Sequence, residues 1–128
     1  MRDPVGWVGL GIMGREMVRR LLDQGHPVTV YSRRHAVPEE LSSRVGLQPS
    51  ARRLGESLGI VVLMVPDGPA CEATLFGDEG LAEGLAPGSL VVNMSTVGPD
   101  WARRLAARRA LRGTATGRTG LGRHFVNI

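Results

Sequence analysis

The chain has no lysine; all sixteen of its basic side chains are arginine. Chemistry that depends on a lysine ammonium or amine therefore has no residue to supply it. Cysteine is nearly absent too. A single one, Cys71, excludes an internal disulfide framework and a cysteine-cluster metal site. Its expected role is packing, and no metal is expected. No apolar run approaches the roughly 20 residues that cross a bilayer, so no membrane partner is expected. The amino terminus lacks a basic start, an apolar stretch and a cleavage site, and this places the expectation in the cytoplasm. Aromatic residues make up 4% of the chain, which leaves few platforms on which nucleic-acid bases could stack.

What is present suits one domain with a real core: 128 residues, 42% hydrophobic and 22% charged. The net charge of +4 is unevenly spread. Residues 1–64 hold nine Arg against six acids, residues 65–100 hold six acids and no Arg, and residues 101–128 hold seven Arg and no acid. The two ends are basic and the middle is acidic.

The organising stretch is Val8-Gly9-Leu10-Gly11-Ile12-Met13-Gly14. Apolar Val5, Trp7 and Val8 precede it, and Met13, Met17, Val18, Leu21 and Leu22 follow at helical spacing. G-x-G-x-x-G between a strand and a helix is a dinucleotide-binding pattern. Gly9 permits the tight turn, Gly11 lets a pyrophosphate approach the backbone, and Gly14 lets helix and strand close together. The helix start then offers free N–H groups and a positive dipole end.

Asp23 to Pro27 reads as a stop and turn, with Gly25 as a left-handed cap. Val28 to Tyr31 alternates as a second strand, which completes a β–α–β unit. That strand ends in Ser32-Arg33-Arg34, where an acid would hold the ribose 2′-hydroxyl of NAD. Two guanidiniums there attract a 2′-phosphate and accept no hydrogen bond, so NADP is the expected cofactor and NAD the lesser alternative. Residues 36–59 read as connecting helices, one opened by Pro38 and ended by Gly46, a second capped by Ser50. Ile60–Val65 and Leu90–Met94 are apolar runs with the look of buried strands. The loop Pro66–Pro69 follows the first at its carboxyl end, where such folds place ligands. Short helical stretches are expected over 70–75 and 81–85, and a helix from about Asp100 to Leu111, opened by Pro99 and ended by Gly113.

The sum is an α/β fold: a Rossmann-type, doubly wound, mainly parallel sheet with strands at 5–9, 28–31, 60–65 and 90–94. The domain is expected to span 1–112. Residues 113–128, rich in Gly, Thr and Arg, read as a poorly ordered tail or a late edge strand at best.

Four motifs in order resemble the β-hydroxyacid dehydrogenases: Gly9 to Gly14, Gly25-His26-x-Val28-Thr29-Val30, Met64-Val65-Pro66-Asp67, and Asn93-Met94-Ser95-Thr96-Val97-x-Pro99. That group includes 3-hydroxyisobutyrate dehydrogenase and the glyoxylate/succinic semialdehyde and tartronate semialdehyde reductases. Its cofactor domain is of the 6-phosphogluconate dehydrogenase type, and imine reductases share the same amino-terminal half. The resemblance covers roughly residues 5–112. It implies an NADP-binding domain of an oxidoreductase. Gly9, Leu10, Gly11, Ile12, Met13 and Gly14 would cradle the pyrophosphate, and Ser32, Arg33 and Arg34 would lie at the adenosine end. Val65, Pro66 and Thr96 would line the nicotinamide half, and Ser95 would face a substrate carboxylate. Capping of the helix that Pro99 opens is a second role open to Ser95 and Thr96. Members that use NADP often carry Asn-Arg-Thr where this chain has Ser32-Arg33-Arg34, a departure at two of the three positions.

The family continues with a further strand, a catalytic lysine and a helical domain that closes the site. The pattern stops near Gly113, so the expectation is a truncated member, its frame lost there, with no catalytic residue and little activity alone. A small hydroxyacid or aldehyde-acid substrate is then expected only in a complete enzyme. Missing strands would leave the Leu90–Met94 edge open, with self-association as the expected result. The alternative function is an Arg-rich module on a Rossmann-like fold for protein association or nucleic acid, using Arg103, Arg104, Arg108, Arg109, Arg112, Arg118 and Arg123. The scarcity of aromatics weighs against nucleic acid.

Overall fold

The computed structural model describes residues 2–34, 37–95, 98–101, 103–104 and 124–127. Six parallel strands form one sheet: β1 (Val5–Val8), β2 (Val28–Tyr31), β3 (Gly46–Leu47), β4 (Ile60–Leu63), β5 (Leu90–Asn93) and β6 (His124–Asn127). Their order across the sheet is β3-β2-β1-β4-β5-β6. The chain starts in the middle, winds outward one way through β2 and β3, then returns to β1 and winds the other way. The reversal lies between β1 and β4, which pair in register from Gly6 opposite Val61 to Val8 opposite Leu63. It is the switch point at which such sheets open a crevice.

Helices cover both faces, and the strand residues alternate between them. On one face lie α1 (Ile12–Asp23) and α2 (Glu39–Ser42). There Trp7, Val28, Val30 and Val62 pack with Val18 and Leu41. On the other face lie α3 (Ala51–Ser57), α4 (Gly68–Phe76) and α5 (Leu81–Gly84). There Val8, Val61, Leu63 and Val91 pack with Leu54, Leu75 and Leu81. Each such side chain taken out of water contributes about 1.5–3 kcal/mol. All four residues of β1 are buried, as a strand sandwiched between two helical layers must be.

Local chemistry sets the helix ends. Gly25, at φ +91°, closes α1, and its N–H donates to the Leu22 carbonyl at 3.0 Å. Ser50 caps α3 as expected: its Oγ accepts from the Arg53 N–H at 3.1 Å. Ser50→Ala is therefore expected to cost about 1 kcal/mol. A shift in the urea unfolding midpoint measures this, and an unchanged midpoint would show the cap contributes nothing. Asp67 caps α4, its Oδ1 accepting from the Ala70 N–H at 2.9 Å.

Two expectations need correction. Gly46 does not end a helix: α2 finishes at Ser42, and Gly46 opens β3, pairing opposite Thr29. The Leu90–Met94 edge is not open either. β6 pairs with β5 along its whole length, from Leu90 opposite His124 to Asn93 opposite Asn127. The premise for self-association through that edge falls with it. β6 is the described portion of 113–128, and it takes the edge-strand alternative. Of the helix expected from Asp100 to Leu111, residues 99–101 and 103–104 are helical and the rest lies outside the described residues.

Candidate functional site

β1 ends at Val8 because Gly9 takes φ +108°, a left-handed conformation that turns the chain off the sheet. A Cβ at Gly9 would stand 1.9 Å from the Met64 carbonyl oxygen, on the end of the neighbouring strand. A Cβ at Gly14 would stand 2.1 Å from the Gly9 carbonyl oxygen, so helix and turn touch backbone to backbone. The indole Nε1 of buried Trp7 donates to that same Gly9 carbonyl at 2.7 Å, which fixes the loop from below. Both glycines are required by the protein itself.

Gly11 is different. Its φ of −68° suits any residue, and a Cβ there would meet no protein atom within 4 Å. It stands at the N-cap of α1, which receives no side-chain cap and has no acid in its first turn. Contrast α3 and α4, both capped by side chains. An uncapped twelve-residue helix start beneath open space suits a phosphate group, which its N–H groups and dipole attract.

Above it lies an open cleft of about 1150 Å³ that runs across the crest of β1. This exceeds the roughly 300–1,000 Å³ of most small-molecule sites. Gly9, Leu10, Gly11 and Met13 form its floor at the centre. Toward β2 it is walled by Ser32, Arg33, Arg34, Val37, Pro38 and Glu40, and Arg15 of α1 also lines it. Toward β4 and β5 it is walled by Met64, Val65, Pro66, Ala70, Met94 and Ser95. Sheet order explains this division: β2 and β4 flank β1 on opposite sides.

Most of the residues singled out from the sequence therefore meet in one place. Ile12 and Gly14 do not line the cleft: Ile12 is 81% exposed, and Gly14 is buried under the turn. Thr96 lies outside the described residues. Arg33 and Arg34 are exposed and have no ion-pair partner among the described residues. Ser95 is buried, and its Oγ accepts from the Val65 N–H at 2.8 Å. Its own N–H donates to Asn93 Oδ1 at 3.1 Å. The Cys71 thiol donates to the same oxygen at 3.6 Å. Ser95 thus ties the end of β5 to the Val65-Pro66 turn after β4, a use its sequence context did not reveal. Burial pushes the Cys71 thiol up from its ordinary pKa, against the pull of its Ser95 and Asn93 hydrogen bonds, while Asp67 adds to the rise. It stays a neutral packing group at physiological pH.

Sequence reasoning also passed over Arg15, Met64 and Met94. The methionines are the first residues beyond β4 and β5, and their backbone N–H groups still bond to Val8 and Leu63 carbonyls at 2.8 Å. That ladder carries each side chain to the rim. Arg15 carried one available signal: it directly follows Gly14 and precedes Arg19 by one turn.

Sheet order, switch-point cleft, glycine turn and uncapped helix together define a Rossmann-type dinucleotide-binding domain. The model of the NAD binding domain of 6-phosphogluconate dehydrogenase matches residues 4–120, and the chain belongs to that family, the NAD(P)-binding domain of β-hydroxyacid dehydrogenase-like oxidoreductases. The match runs past residue 112, where the motif-based resemblance was expected to end. A protein named probable 3-hydroxyisobutyrate dehydrogenase-like 2, from Arabidopsis thaliana, is 36% identical over 104 residues, 80% of this chain and 35% of the relative. The 2-hydroxy-3-oxopropionate reductase of Escherichia coli is 35% identical over 102 residues, 80% of this chain and 35% of that protein. The chain thus spans about a third of the length of these curated relatives. Among solved structures, an imine reductase variant from Myxococcus stipitatus in complex with NAD+ superposes with a TM-score of 0.79 at 22% identity. It covers 99% of this chain and 40% of the reductase. The same enzyme in complex with NADP+ gives 0.78 at 23% identity, over 97% and 39%. These two likenesses bear on the fold alone.

Among the described residues, no helix is long and apolar enough to cross a membrane.

Proposed function

We propose that the chain binds NADP in preference to NAD across this cleft, as the cofactor half of an oxidoreductase acting on a small hydroxyacid or aldehyde-acid. The observation that carries it is Gly11: an ordinary backbone conformation, no protein atom to avoid, and an uncapped helix start. At an uncapped helix start on the floor of the cleft, a glycine that the fold does not need leaves room for a ligand. In this reading the N–H groups from Gly11 to Gly14 receive the pyrophosphate. Arg33 and Arg34 hold the 2′-phosphate, with the Ser32 hydroxyl beside them. Val65, Pro66 and Thr96 bound the nicotinamide half, with Met64 and Met94 excluding water at the rim. When bound, a nicotinamide cofactor supplies or accepts the hydride. Ser95, on the wall of the cleft toward β4 and β5, is assigned to a substrate carboxylate. The domain is taken as residues 1–112 with β6 added at the edge of its sheet, and the cytoplasm as its compartment. No residue of this chain is assigned a catalytic role.

Fluorescence titration of the chain with NADPH and NADH tests the reading. The parent is expected to bind NADPH more tightly. Replacing both Arg33 and Arg34 by Ser is expected to weaken NADPH by roughly 10- to 100-fold and leave NADH near the parental value. Equal binding of both nucleotides by the parent would overturn the NADP preference. Binding of neither would overturn the cofactor role of the cleft.

A further inference from the structure

Arg15 has a buried guanidinium donor with nothing to bond. Its Nε is shielded from solvent and lacks a hydrogen-bond partner among the described residues. A buried N–H left without an acceptor is costly, and arginine cannot relieve the cost by losing its proton. The nearest wall of the cleft carries one acid, Glu40, and Arg19 already pairs with it at 3.4 Å. Among the described residues, the protein holds a permanent cation at the cleft without an ion-pair partner.

Arg15 is half-buried and lines the cleft, so its position indicates which ligand group its guanidinium would meet. Residues four apart share a helix face, so Arg15 and Arg19 look the same way from α1. Arg19 reaches α2 through Glu40, and that face is therefore turned toward the segment after β2. Arg15 lines the cleft together with Ser32, Arg33 and Arg34 of that segment. In the NADP reading the pyrophosphate takes a different position, over the backbone N–H groups at the start of α1, on the floor of the cleft. We propose that Arg15 is a third guanidinium of the 2′-phosphate site, joining Arg33 and Arg34 and setting preference for the phosphorylated adenosine. This rests on the NADP reading of the cleft. It assigns the specificity to the helix as well as to the loop after β2.

The test is calorimetric titration of the full chain and of Arg15→Met with four ligands: NADPH, NADH, adenosine 2′,5′-bisphosphate and ADP. Methionine keeps an unbranched apolar stem, so the packing under Arg15 persists. Arg15→Met is expected to weaken NADPH and the 2′,5′-bisphosphate by about tenfold or more, and to leave NADH and ADP within about twofold. Arg15→Lys, which keeps the charge without the planar fork, is expected to fall between parent and Met, and it carries the test if the Met variant does not fold. Equal losses for NADPH and NADH would place Arg15 on the pyrophosphate and overturn the proposal. An unchanged NADPH preference in both variants would overturn it too, leaving Arg33 and Arg34 as the whole site. A parent that does not distinguish NADPH from NADH would instead defeat the NADP reading, and the Arg15 assignment with it.

Discussion

Gly11→Asp is expected to abolish nucleotide binding, by about 100-fold or more, in a domain as stable as the parent. Aspartate is a preferred N-cap, and Gly11 stands at the N-cap of α1 with an extended ψ of −171° that suits it. The new side chain enters space empty of protein atoms, so it strains nothing. Its carboxylate accepts the N–H groups now open at the helix start and adds a negative charge to them. Stability is expected to change by a few tenths of a kcal/mol, from Gly to a better cap. A phosphate meets both an occupied donor set and a like charge within a few ångström, and each opposes binding. Urea unfolding and NADPH titration of the same preparation separate the two effects. Retained affinity for NADPH would mean that the phosphates do not sit at this helix start. A collapse of stability would mean that Gly11 is needed by the fold after all.

Gly9→Ala is expected to do the reverse, destroying the fold and losing binding as a consequence. Its Cβ would lie 1.9 Å from the Met64 carbonyl oxygen and 2.6 Å from the Met64 carbonyl carbon, both backbone atoms. Neither can swing aside, because the Met64 N–H is bonded to the Val8 carbonyl at 2.8 Å and holds β4 against β1 at that point. The φ of +108° adds strain for any residue with a side chain. Together these are expected to remove about 3–5 kcal/mol, out of the roughly 5–15 kcal/mol that keeps a domain folded. The collapse follows from position in the sheet: β1 and β4 form the central pair, so prying them apart opens both core layers. Circular dichroism and denaturant melting report the result. A Gly9→Ala protein with parental stability would show that the β1–β4 crest can shift to make room.

The two glycines are two residues apart in one motif, yet the sequence alone gave each a role by pattern only. Distances divide them: Gly9 and Gly14 lie against backbone, and Gly11 lies against nothing.

Much of the architecture was legible because it rests on local chemistry. The strands at 5–9, 28–31, 60–65 and 90–94 are seen as Val5–Val8, Val28–Tyr31, Ile60–Leu63 and Leu90–Asn93, the ends shortened where the chain leaves the ladder for the cleft. The Ser50 cap and the Gly25 stop were legible too, since a hydroxyl before a helix and a glycine after it act within one turn. β3 was not. It is a two-residue edge strand with both residues exposed, too short to show a period and formed because β2 offers an unpaired side. β6 was legible only as the lesser alternative, a late edge strand in a tail of glycines and arginines, and pairing with β5 brings it out.

The sequence by itself determined the fold class, the glycine turn and the segments that reach the cleft, because burial period, turn chemistry and helix caps act over a few neighbouring residues. Only the tertiary structure decided which of those residues share the cleft, since β1 and β4 meet across some fifty residues of chain. It alone turned the Ser95 hydroxyl onto Val65, and it alone left the Arg15 Nε buried at the cleft without a partner among the described residues. Both are facts of contact between distant segments, which no local pattern encodes.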